Sequence, residues 1–511
     1  MRIKVIHIIL VCFLLLLLKV NSKAQNTSGK ELADVRIAWD YSSLHQMAEE
    51  GGYPRLIRLR NGNLMAVYEN RRGDIHLIKS ENHGNSWSVP EVIFSSYPFH
   101  VENSKESIRI NATNPEIIEL SNGDILFACN YRPRKDNIAP FSIGLKRLNL
   151  RSNQLSDTEI LYEAGKKFKD GCWEPSFLQL LNGELHLYFA NESPFRASDE
   201  QEISVLKSND NGESWSDPET ASFRKDRRDG MPVAVISKDK IYLAVEDNKI
   251  GQFKPYIIQS SINQSWGEPV TANSENRWYA LEERVDDSVY MGAPYLLKLP
   301  NDQFLISYQT NRDRNHNWEL STMEVAIGDK NARSFKNISQ PFPVAINKEA
   351  KWNSIANWDK NTVVALSSTN FNSEKISPWM IKGYLIPSSV KLKQDTVQLF
   401  IGSLSAINLK AEIYKSNDKL EISLEGNRKD SNSNTMEYIL YIRSDKKTEK
   451  IVIPVKGKDN TIKKSISLSK LSNNFNLGIT LKYSDRSGNI IEEKLVHMDE
   501  QNPDTWINFE K

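Results

Sequence analysis

The chain has 511 residues, enough for two or three domains, and its 39% hydrophobic share allows sizeable buried cores. Lys and Arg (66) nearly balance Asp and Glu (65), which excludes the basic footprint of a nucleic-acid binder. Three cysteines exclude a disulfide scaffold. The eight histidines include no pair at ligand spacing and no HExxH, so no metal and no cofactor are expected.

At the start, Arg2 and Lys4 precede an apolar run from Val5 to Leu18, and Ser22-Lys23-Ala24 leads into Gln25. This is the pattern of a cleaved secretory signal over residues 1–24, with Gln25 first in the mature chain. The run is about 14 residues, short of the roughly 20 that a spanning helix needs. Cys12 lies inside the run rather than behind it, which argues against a lipid-anchored cysteine. The expectation is a secreted or periplasmic monomer with no membrane span. Its 62 cationic and 65 anionic side chains leave a formal balance of −3. Cys129 and Cys172 remain and read as buried free thiols, with a bridge between them left open.

From residue 50 onward a unit recurs about every 60 residues. Each copy opens on a proline-containing strand start: Tyr53-Pro54, Asn114-Pro115, Trp173-Glu174-Pro175, Met231-Pro232 and Ala293-Pro294. A turn follows at Asn61-Gly62, Asn122-Gly123, Asn182-Gly183, Lys238-Asp239 and Asn301-Asp302. Asn-Gly between two alternating apolar runs is a strong hairpin signal. A second run then returns: Leu64 to Tyr68, Ile125 to Cys129, Leu185 to Phe189, Ile241 to Val245 and Phe304 to Tyr308. A sixth, worn copy starts at Trp352 and returns at Val363 to Leu366.

Two stretches, Ser80 to Trp87 and Ser208 to Trp215, share Ser-x-(Asp/Asn)-x-Gly-x-Ser-Trp, the Asp-box pattern, and start 128 positions apart. Physically this is a tight turn: Gly supplies the backbone angle, Asp or Asn and Ser bond the turn itself, and Trp plugs into the sheet. Ser260 to Trp266 is a degenerate copy without the Gly. Six four-stranded units at this spacing predict an all-β, six-bladed β-propeller over residues 30–387, closed by a strand over 34–39 that joins the last blade. From residue 388 the turns and Trp plugs stop while alternating runs persist. Residues 388–511 are expected to form a smaller C-terminal β-sandwich that packs or spaces rather than binds sugar.

In such a ring the starts of first strands and the ends of second strands share one face near the axis. Glu174 stands at the first kind of position and Glu246 at the second, in adjacent blades. Two carboxyls flanking one bond are what glycoside hydrolysis needs: one donates a proton, the other attacks or activates water. Glu69 occupies the same station as Glu246 in the first blade and competes with it, although Arg71 and Arg72 beside it suggest an ion pair. Arg55, Glu69, Arg71, Trp173, Asp229 and Trp352 are the candidate substrate-binding residues, with Arg132 and Arg312 on the same face. Arg supplies bidentate bonds and Trp a stacking surface, and Asp229 is expected to meet a sugar hydroxyl.

The two Asp boxes resemble those of the sialidase superfamily. More narrowly, residues 50–385 resemble glycoside hydrolase family 93, the exo-α-1,5-L-arabinanases. The matching segments are Gly52-Tyr53-Pro54-Arg55-Leu56, Trp173-Glu174-Pro175-Ser176-Phe177, Arg228-Asp229-Gly230-Met231-Pro232, Val245-Glu246 and Met291-Gly292-Ala293-Pro294-Tyr295. The resemblance implies a secreted, exo-acting, retaining glycoside hydrolase that releases arabinose-type units from a plant polysaccharide. It implies Glu174 and Glu246 as the catalytic pair, about 5–5.5 Å apart, with a leaning to Glu174 as acid/base. Two alternatives stand beside it. An exo-α-sialidase fits Tyr53-Pro54-Arg55 and Glu69-Asn70-Arg71 but lacks a Tyr at Trp352-Asn353-Ser354. A propeller that binds glycans without cutting them is the other.

Overall fold

The computed structural model describes residues 35–510 except 102–106, 315, 343, 388, 392–396, 404–406, 429–434, 446, 485–489 and 497–506. The expected signal over 1–24, Gln25 and Trp506 lie outside the described residues. The chain is almost entirely β, with only short 3-10 turns besides, and no described helix is long and apolar enough to cross a membrane.

Six antiparallel sheets follow one another along residues 35–387. They open on the strands Gly52–Arg58, Ser107–Glu119, Cys172–Gln179, Asp229–Ser237, Met291–Lys298 and Ala350–Asn357. Each opening strand contacts those of the sheets before and after it, and the sixth contacts the first, so the six close a ring. The N-terminal strand Val35–Gln46 pairs with Ser377–Pro387 as the outermost strand of the sixth sheet, which is therefore built from both ends of the segment.

The second strands, such as Leu64–Glu69, Leu185–Asn191 and Phe304–Thr310, are buried along nearly their whole length. They sit between neighbouring sheets and are covered on both faces, which is why they read as continuous apolar runs rather than strict alternation. The two Ser-x-(Asp/Asn)-x-Gly-x-Ser-Trp stretches fold as closed turns between third and fourth strands. Ser80 Oγ accepts the Gly84 N–H at 2.9 Å and Asn82 Oδ1 the Ser86 N–H at 3.0 Å. In the second copy, Ser208 Oγ and Asp210 Oδ1 do the same at 2.8 and 2.9 Å. Cys129 and Cys172 are buried and unbridged.

Beyond residue 388 lie two further sheets. Ile407, Leu409, Ala411 and Ile413 of one sheet share an apolar cluster with Tyr438, Leu440, Leu477 and Ile479 of the other. The two-residue spacing puts these side chains on one face of each strand.

Candidate active site

The six sheets share one irregularity, and it builds the site. In every sheet the pairing of first and second strands slips by one residue near the start of the first strand, a β-bulge. The bulged residues are Tyr53, Asn114, Glu174, Met231, Ala293 and Trp352, and all six take a left-handed φ between 44° and 54°. A non-glycine residue avoids this region unless its surroundings impose it. Five of the six precede a proline, but Trp352 precedes Asn353 and adopts the same angle, so the bulge rather than the proline sets it. Glu174 is therefore aimed by an architectural feature it shares with five other positions.

The register also confirms which residues stand opposite. Glu69, Asn130, Ala190, Glu246, Gln309 and Ser368 pair with the residue just before each bulge. The side chains of Asn130, Glu246, Gln309 and Ser368 staple adjacent sheets. Ser368 Oγ accepts the Tyr53 N–H at 2.7 Å, Gln309 Oε1 the Trp352 N–H at 2.8 Å and Glu246 Oε2 the Ala293 N–H at 2.8 Å. Asn130 instead donates its Nδ2 to the Cys172 carbonyl at 2.7 Å. Glu246 thus has one oxygen committed to the ring. A Cβ at Gly292 would come within 2.7 Å of that oxygen, and one at Gly230 within 3.0 Å of the other. Glycine at both positions is what leaves room for the carboxyl.

Burial and mutual repulsion shape the titration of the pair. Burial, and then the Glu246 charge, push Glu174 up to about 8, against the opposing pull of Arg132. Burial pushes Glu246 up to about 7, offset by the Ala293 N–H and Arg228. The two carboxyls are thus near enough to repel and are held at different proton affinities, with Glu246 ionising first. That is the division of labour an acid and a carboxylate need.

A cavity of about 560 Å³ opens at this end of the ring, lined by Tyr53, Glu69, Asn114, Arg132, Glu174 and Trp352 among others. Glu246 is not among the residues that line it. Trp352 stacks on Tyr53 with ring centres 6.2 Å apart and lines the cavity. Arg71 stands at the rim, largely exposed, 3.8 Å from Glu50. Glu69 lines the cavity with its carboxyl pushed by burial up to about 7, and no ion pair joins it to Arg71.

Four residues are engaged by other side chains rather than left free for a sugar. Asp229 is fully buried: Arg277 reaches its two oxygens at 2.8 and 2.6 Å, and Ser222 donates to it at 2.8 Å. It belongs to a closed quartet with Asp247, Arg224 and Arg277. Arg55 is also buried, 3.4 Å from Glu116, with its guanidinium over the Tyr53 and Tyr295 rings. Trp173 packs against Phe141 and Phe168 between sheets. Arg312 is held by Glu324 at 2.8 Å.

Sequence reading missed Tyr290 and the Glu192–Arg228 ion pair. The Tyr290 hydroxyl accepts a hydrogen bond from Gln309 at 2.9 Å and feels the charges of both Glu246 and Glu174. It lies outside the repeated unit, two residues before the Gly292 that shelters Glu246, so no periodicity could flag it.

No protein-family model and no curated protein matches the chain. Solved structures do. A protein of unknown function from Dyadobacter fermentans is 15% identical, covers 69% of this chain over 99% of its own, and superposes with a TM-score of 0.51. An alpha-L-arabinofuranosidase from Fusarium graminearum is 14% identical over 70% of this chain and 98% of its own, with a TM-score of 0.47. The NanB sialidase from Streptococcus pneumoniae is 11% identical over 69% of this chain and 70% of its own, with a TM-score of 0.46. The neighbours are sialidase-like propellers, and at these identities the likeness is one of fold.

Proposed function

We propose that the chain is a secreted, exo-acting, retaining glycoside hydrolase on a six-bladed propeller, residues 30–387, with a C-terminal β-sandwich, residues 388–511, as an accessory domain. The observation that carries this reading is the pair Glu174 and Glu246: two half-buried carboxyls in adjacent sheets, with Glu174 feeling the Glu246 charge and both pushed above the ordinary carboxylate range. Glu174 sits in the cavity wall, and Trp352 offers an apolar face beside it. A sugar stacked on Trp352 brings its glycosidic bond toward Glu174, and retention assigns the second role to Glu246, whose other oxygen the Ala293 N–H leaves free. The arabinose-type substrate rests on the sequence resemblance to family 93 and on the fold shared with glycosidases.

A sialidase would require Arg55 free for a sugar carboxylate, whereas Glu116 and two aromatic rings occupy it. It would also require a reactive tyrosine. Burial holds the Tyr290 phenol well above its ordinary range, the opposite of activation. The test is product analysis on arabino-oligosaccharides and sialosides with wild type, Glu174→Gln and Glu246→Gln. Activity lost by 10³-fold or more in both variants, on the order expected for a glycosidase carboxyl, supports the reading. Undiminished turnover in both removes it. Azide added to each variant assigns the roles, because azide restores the acid/base variant with retention and the nucleophile variant with inversion.

A further inference from the structure

One side of the cavity is built differently from the rest. In five sheets the pairing of first and second strands starts within two residues of the bulge, as in Gly52↔Glu69 and Met291↔Thr310. In the second sheet it starts earlier, at Ile110↔Pro133 and Asn111↔Arg132, and the strand Tyr97–His100 pairs alongside. This hairpin extension rises beside the cavity and carries Arg109, Arg132 and, just past its end, Arg134. Arg71 and Arg72 follow the second strand of the first sheet next to it. Of these, Arg71, Arg132 and Arg134 line the cavity.

Two of these arginines have acid partners within 4 Å. Arg109 is 3.7 Å from Asp74, and Arg71 shares Glu50 with Lys375. Arg132 has no ion pair among the described residues; its guanidinium lies over the Phe168 and Trp173 rings, 4.9 and 5.1 Å from their centres. Arg134 reaches the Asn111 amide, a neutral partner, at 3.2 Å. Arg132 and Arg134 both line the cavity. The cavity is also lined by five glutamates: Glu50, Glu349 and Glu374 are paired with Lys375, Lys351 and Lys348, and burial pushes Glu69 up to about 7 and Glu174 up to about 8. A neutral pentose has no group that calls for two unpaired guanidinium groups. A planar carboxylate does, because it accepts bidentate bonds in the geometry that a stacked, pre-oriented guanidinium offers.

We propose that the wall formed by Arg132 and Arg134 binds the carboxylate of a hexuronic acid in the glycan substrate. This deepens the hydrolase reading and rests on it for turnover, though not for binding. The residue carrying the charge lies on the second-sheet side of the cavity, across from Trp352.

The test pairs binding with turnover on the full-length protein. The probes are pectic oligosaccharides carrying galacturonate, the same oligosaccharides with every carboxyl methyl-esterified, and α-1,5-arabino-oligosaccharides. Expected is binding of the free acid at least about tenfold tighter than the ester, the discrimination that one charge-assisted bidentate contact supplies. Rising salt weakens that preference. Arg132→Gln removes most of it, Arg134→Gln part of it, and Arg132→Lys restores less than the native value. Equal binding of acid and ester by wild type, or an unchanged preference in both Gln variants, overturns the proposal. Preferred binding of a sialoside or a sulfated sugar over the uronate also overturns it. Cleavage of the neutral arabino-oligosaccharides without any preference for acids would sink this proposal and leave the hydrolase reading intact. Tight uronate binding without any turnover would do the reverse.

Discussion

Replacing Glu174 with Gln should stabilise the protein, and more so as pH rises. Folded Glu174 titrates at about 8 instead of the ordinary 4.5, chiefly because burial disfavours its charge. Between those values the folded chain holds a proton that the unfolded chain has released, so wild-type stability falls with rising pH across that window. The deficit is nil below 4.5 and reaches its full size above the folded value. At 1.36 kcal/mol per pH unit it comes to about 3 kcal/mol at about pH 7 and about 5 kcal/mol at about pH 9. The side chain keeps partial contact with solvent at the cavity floor, and water screens some of the charge, so these are ceilings. Gln reproduces the protonated form at every pH and escapes the deficit. Urea midpoints of wild type and Glu174→Gln should therefore coincide near pH 4.5 and separate toward pH 9, with the variant the more stable. Because the Glu246 charge contributes to the shift, Glu246→Gln should narrow the separation. Parallel midpoints across that whole range, or a variant that loses stability at high pH, would refute a buried, repelled carboxyl at this position.

The same titrations predict kcat/KM. Glu246 ionises at about 7 and Glu174 at about 8, so the singly protonated pair peaks between them and kcat/KM should fall on either side; a flat profile from about pH 5 to 9 would contradict it. Asp229→Asn breaks a buried charge quartet and should destabilise by about 3–5 kcal/mol while leaving KM within about twofold; unchanged stability with a raised KM would return Asp229 to sugar binding. Trp352→Ala should raise KM by up to about tenfold, the worth of one aromatic contact, with kcat little changed; an unaltered KM on every glycan bound would remove the platform.

The ring was legible in the chain because it is repetitive. Pro, then Asn seven positions later, then an apolar run, recurs often enough to set strand order and to identify Glu69, Gln309 and Ser368 as counterparts of Glu246. The registers of all six sheets agree with that alignment. Side-chain partners were not legible, because they come from sequence far away. Asp229 read as a hydroxyl ligand from its place before a bulge, yet Arg277, 48 positions on, captures it. Arg55 lies beside the axis as expected, but Glu116 of the next sheet holds it. The staple on Glu246 was likewise hidden, since its donor is a backbone N–H one sheet further round.

That staple bears on how such a ring becomes a catalyst. Six bulges share one backbone angle, and opposite stations tie neighbouring sheets together. At three junctions the tie is a side-chain acceptor on a backbone N–H: Ser368, Gln309 and Glu246. Serine and glutamine do this without charge, so the fold does not need a carboxylate there. A glutamate at such a station carries a second oxygen and a titratable proton that the tie leaves unused. Burial raises its proton affinity, and its charge in turn raises that of Glu174 at the neighbouring bulge. In the proposed hydrolase, reactivity arises from ordinary ring-closing positions occupied by acids, on a backbone whose left-handed angle every sheet shares.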